Sequence, residues 1–141
     1  MKESIATLSE VVVKPNQNPN QPDNQMVLIS GRGFNPDDTR RFAGSLNDPS
    51  RMATSLAGVS AANDFRNDII IRGNSPSGLL WRIEGLDIPN PNHFGSMGNT
   101  GGPVSLLNIN VLSKSDFIIG AFPSEYGNAL SGVFDLSLRN G

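Results

Sequence analysis

His93 is the one imidazole in this chain, set in a loop of prolines, glycines and asparagines, Ile88–Pro103. An imidazole there could ligate a metal or act as a general base. Zinc sites need several nitrogen or sulfur donors, and the sequence has no second His and no Cys to join this one. A nucleophilic triad would need His93 plus an acid and a placed nucleophile, and no motif marks such a nucleophile. We read His93 as a structural or contact residue and expect no enzyme and no metal. Gly31-Arg32-Gly33 and Gly101-Gly102-Pro103 are glycine-rich but lack the Lys-Ser/Thr of a phosphate loop, and G-x-G-x-x-G is absent, so no nucleotide cofactor is expected either.

The remaining chemistry lies in charges. Arg72, Arg82 and Glu84 fall within DIIIRGNSPSGLLWRIEGLDIPNPNHF, residues 68–94. Side chains alternate along a strand, so Arg82 and Glu84 would share a face, with Arg72 ending the neighbouring strand. If that face is covered, these charges must be paired, because an unpaired buried charge is costly. On an open surface such a pair contributes about 0–1 kcal/mol. The sequence leaves both readings open.

The elements that would position these residues are short. Ile69–Ile71 and Leu79–Ile83 read as two strands separated by Gly73, Asn74, Pro76 and Gly78, a turn-rich spacer. Met26–Ser30 reads as a strand that opens the folded part. Asn35-Pro36-Asp37-Asp38 predicts a helix start, with Asn as N-cap, Pro at the first position and acids in the first turn. It runs to about Phe42, and Gly44 ends it. Asp48-Pro49 starts a second helix that stops at Gly58, and 59–67 is a connector. Loops as long as 88–103 inside a compact domain are usually functional or mobile. Val104–Leu112 has apolar spacing for a short helix, Asp116–Ile119 reads as a strand, and 124–129 as a turn. In Val133–Arg139, Phe134, Leu136 and Leu138 alternate with Asp135, Ser137 and Arg139, the pattern of a half-buried closing strand.

At 141 residues and 15.0 kDa the chain suits one domain that can bury a core without staples. The absence of Cys rules out disulfides. A net charge of -2 and pI near 5.2 argue against nucleic acid as partner. No apolar stretch reaches the roughly 20 residues of a membrane helix, and the start, MKESIATLSEVVV, has no continuous apolar core of a signal peptide. Sixteen Asn beside 15 Gly and 10 Pro fit either a loop-rich α+β domain or a domain facing a wet, polar cavity, as inside a large plugged barrel.

Several motifs together resemble the plug domain of TonB-dependent outer-membrane receptors, in its Bacteroidetes form. NDIIIRG at 67–73 looks like the family's strand ending in Arg-Gly, and LLWRIEGLDIP at 79–89 like the strand, acid-Gly and Pro that follow. DPSRMATSLAGVSA at 48–62 resembles the early helix. LNINVLSKSDFIIGAFPSEYGNALSGVFDLSLRNG at 107–141 is similar to the closing helix, strand, Tyr-Gly turn and final strand. The resemblance spans about Leu8 to Gly141. One departure is Ser115-Asp116-Phe117, where many members carry Ile-Glu at a lock between plug and barrel.

The resemblance implies an α+β fold, a small mixed sheet of about four to five short strands with short helices. It divides the chain into an N-terminal segment, 1–25, and a plug domain, 26–141. Glu10-Val11-Val12-Val13 resembles the TonB box, which would pair by strand addition with the C-terminal domain of TonB. The residue-level alternative is a first strand of the domain's own sheet. KPNQNPNQPDNQ would be an extended, solvated linker. Arg72, Arg82, Glu84 and Asp116 are the expected contacts with the receptor's own β-barrel, and Asn90, Asn92, His93 and Phe94 the expected face toward a small-molecule or oligosaccharide ligand. The implied place is the outer membrane, the chain being a piece of a larger exported receptor with the N-terminus toward the periplasm. Residues 1–25 and part of 88–103 are expected to be mobile without the barrel wall. The rival reading is a secreted or periplasmic carbohydrate-binding or adhesion module.

Overall fold

The computed structural model describes residues 20–27 and 29–140; the Glu10–Val13 segment lies outside them. The fold is α+β. Five strands form one mixed sheet, in the spatial order β1 (Gly31–Phe34), β8 (Ser115–Ile118), β9 (Gly132–Leu136), β4 (Leu79–Ile83) and β5 (Leu86–Ile88). Neighbours are antiparallel except β9 and β4, which run parallel. Two small ribbons flank the sheet: β2 (Val59–Ala61) with β3 (Ile69–Ile71), and β6 (Asn92–His93) with β7 (Val104–Ser105).

Local sequence accounts for both helices. In α1 (Pro36–Arg41) the Asp38 carboxylate accepts from the Asn35 backbone N–H at 3.2 Å, tying the first turn back to its cap. In α2 (Pro49–Ala53) the Asp48 side chain accepts from Ser50 N–H at 2.8 Å, satisfying a donor that the helix start leaves orphaned. Both helices are short, and Met52 and Ala53 are buried in the main core.

The core is built on cross-strand register. Trp81, Phe134 and Phe117 are direct neighbours on β4, β9 and β8. Trp81 stacks on Phe134 with centroids 4.4 Å apart, Phe117 lies 4.3 Å away, and Phe34 meets Phe134 edge-on at 6.0 Å. Aromatic pairs in register stabilise a sheet beyond their area. A second, smaller cluster on the other face joins Ile118 and Val133 to Val27 and Tyr126.

Several expectations are corrected. The opening strand is not Met26–Ser30 but Gly31–Phe34. Asn24 captures the Met26 N–H with its side chain and the Val27 N–H with its carbonyl, a local turn that competes with strand. The 59–67 connector contains β2. Ile69–Ile71 and Leu79–Ile83 are strands, but of different sheets, so Arg72 does not end a neighbour of β4. Val104–Leu112 is no α-helix: it is β7 followed by a 3-10 turn at Ile109–Val111. Ser105 and Asn108 bond the N–H groups two residues on and divert the backbone. β9 is an inner strand, with Val133, Phe134 and Leu136 all buried, and it ends before the exposed Leu138. The described part of the linker, 20–25, is packed on the sheet.

Candidate functional site

One residue along each strand from the aromatic row runs a polar row. Asp87, Arg82, Asp135, Asp116 and Gly33 are successive partners on β5, β4, β9, β8 and β1. Period-2 alternation puts this row on the opposite face of the sheet. Arg82 Nε donates to Asp87 at 2.9 Å, its terminal nitrogen donates to the Glu125 carbonyl at 3.1 Å, and its guanidinium lies 4.7 Å from the Tyr126 ring centre. Tyr126 donates its hydroxyl to Asp135 at 2.8 Å. Burial and then the bond to Asp135 push the Tyr126 phenol well above its ordinary value. Burial also raises Asp135, against the lowering effect of Tyr126 and Arg82, and the charges of Asp116 and Glu125 add to the rise.

Asp116 is buried, and its two carboxylate oxygens accept the consecutive backbone N–H groups of Asp23 and Asn24, each at 2.9 Å. Asn24 then donates to the Tyr126 hydroxyl at 3.0 Å and to Glu125, and Lys114 pairs with Asp23. Within this chain Asp116 thus binds the segment that precedes the sheet.

Arg82 shares this row with Asp116, but the two remaining expected contact residues, Glu84 and Arg72, do not join it. Glu84 and Gly85 form the left-handed turn between β4 and β5, with φ of 50° and 79°. Gly85 suits that geometry, and Glu84 swings away from Arg82 to accept from Leu138 N–H. Arg72 occupies an equivalent turn with Gly73, also at positive φ, and its residue is exposed. None of the described ion pairs joins Arg72, Arg82 and Glu84 to one another.

In the 88–103 loop, two of the four residues expected to face a ligand hold the loop instead. Asn90 donates to the Asn99 carbonyl and accepts from Asn92 N–H. Asn92 is buried, donating to the Thr100 carbonyl at 2.9 Å and accepting from Asn67 at 3.2 Å. Asn67 also donates to Asp48 at 2.6 Å and accepts from Arg51 at 2.8 Å, so one amide network ties the loop to the α2 cap. Burial, the largest influence on Asp48, raises its pKa. His93 and Phe94 face outward with Met97; Phe94 is 84% exposed. Among the described residues no cluster of His, Cys, Asp or Glu could hold a metal ion.

Sequence reasoning missed Tyr126, Asp135, Asn24 and the docking of 20–27. A signal was present in Asp135, which stands between Phe134 and Leu136 in an otherwise apolar strand and marks a polar inner face.

The chain matches no family model and no curated protein.

Proposed function

We propose that the chain is the plug of a TonB-dependent outer-membrane transporter, filling the barrel lumen and gating uptake of a bulky nutrient. What carries the reading is how its motifs are packed. LLWRIEGLDIP at 79–89 and the closing GVFDLSLRNG at 132–141 are far apart in sequence, yet their strands β4 and β9 run side by side in one sheet. The Tyr-Gly turn between them is bonded to β9 through Tyr126 and Asp135. The acid-Gly and Arg-Gly pairs both fall in left-handed turns, a geometry that suits Gly85 and Gly73. The LLWRIEGLDIP and closing motifs thus share one sheet, as a stopper that moves as a body would need.

The carbohydrate-binding alternative has less support. The sole Trp, Trp81, is 1% exposed, and the sole Tyr, Tyr126, is 5% exposed, so neither offers a ring to a sugar. In the plug reading, ligand meets the His93–Phe94 edge of the loop, and binding shifts the population in which the N-terminal segment is free. TonB then adds its sheet edge to Glu10–Val13 and pulls.

Titration of the chain with the C-terminal domain of TonB, wild type against Val12→Pro, tests this directly. Proline removes a main-chain donor and should abolish strand pairing. Equal binding by both proteins would reject the box at 10–13.

A further inference from the structure

We propose that residues 20–27 form a detachable strap, held in a trough built for it on the polar face of the sheet, and that Asp116 is its latch. The trough begins with two glycines. Gly31 and Gly33 point to the same face of β1, and a side chain at either would strike the strap. A Cβ on Gly33 would sit 2.4 Å from the Gln21 carbonyl oxygen, and one on Gly31 would sit 2.2 Å from Val27 and 2.9 Å from Pro22. GRG thus leaves space that the Gln21 backbone fills at Gly33 and the Val27 and Pro22 side chains fill at Gly31.

Asp116 stands across from Gly33 on β8 and grips two consecutive N–H groups of the strap, the arrangement in which backbone amides bind an anion best. Asn24 adds bonds to Glu125 and Tyr126, Val27 enters the small cluster with Ile118 and Val133, and Gly33 N–H donates to Asn20 at 3.0 Å. The attachment is therefore specific along its length.

It is also separable. The strap forms no strand of the sheet, it contributes nothing to the aromatic core, and most of its residues are exposed. Segments with few buried apolar contacts open well before the core does. Lifting it breaks the Asp116 bonds and uncovers the outer edge of β1 while every strand pairing stays intact. The strap and its latch belong to this chain alone and do not depend on any role in a membrane.

Residue-resolved amide hydrogen exchange on the full chain tests it. In the wild type, Asp23 and Gly33 amides should be protected relative to free peptide, to a common degree, and less than Val133 and Phe134. Asp116→Ala should speed exchange at both Asp23 and Gly33 at least tenfold and leave Val133 and Phe134 unchanged. Asn24→Pro removes one of the latched donors without altering a sheet residue, so it decides the matter should Asp116→Ala fail to fold; the same acceleration is expected at Asp23 and Gly33. Free-peptide exchange in the wild type, unchanged protection in Asn24→Pro, or loss of strap and β9 protection together would overturn the latch.

Discussion

Two rows of side chains cross the same sheet one residue apart and do opposite work. The Trp81–Phe134–Phe117 row is dry, stacked and almost fully buried. The Arg82–Asp135–Asp116–Gly33 row is polar, bonded by Glu125 and Tyr126 at one end and by the 20–27 segment at the other, and shares its face with the smaller cluster of Ile118, Val133, Val27 and Tyr126. Hydrophobic packing is non-directional and grows with area, so the aromatic row fixes the fold. Buried polar groups demand named partners, so the charged row fixes which segment may lie on it. A single strand serves both purposes because its two faces are independent in sequence.

The difference can be broken first on the aromatic side. Phe134→Ala removes the ring that touches Trp81, Phe117 and Phe34, and should cost about 3–5 kcal/mol of stability in denaturant unfolding. A loss below about 1 kcal/mol would mean that the row is not the centre of the core.

The polar side should answer to pH. Because the folded carboxyl of Asp135 is raised, the stability it contributes is complete below the ordinary carboxylate range, about pH 4, and is lost as pH rises through the folded value. Asn cannot titrate yet still accepts from Tyr126. Stability of the wild type relative to Asp135→Asn should therefore fall as pH rises from about 4 toward neutrality. Parallel unfolding curves across that range would contradict the assignment.

The smallest effect belongs to the end of the row. Asp87→Ala deletes an ion pair whose acid is half exposed, and should change stability by about 0–1 kcal/mol. A larger loss would show that Arg82 depends on Asp87 to stay over Tyr126.

How much of this could be read from sequence follows the same division. Ile69–Ile71 and Leu79–Ile83 announce themselves as strands, and Asn35 and Asp48 announce their helices, because those signals are local. That β4 lies parallel to β9 and not against β3 is a long-range choice which neither strand encodes alone. The resemblance marks Asp116 only as a contact toward a barrel wall, whereas within this chain it bonds the backbone of Asp23 and Asn24, and main-chain N–H groups leave no mark in a sequence. The abundance of Asn reads as surface until Asn67, Asn90 and Asn92 are seen holding a loop from within.

The most direct test of the plug reading is electrical. The product of the full-length gene, reconstituted in a planar bilayer, should conduct little when intact and open a large, steady pore once residues 26–141 are deleted. Equal conductance with and without those residues, or no pore in either protein, would contradict the account.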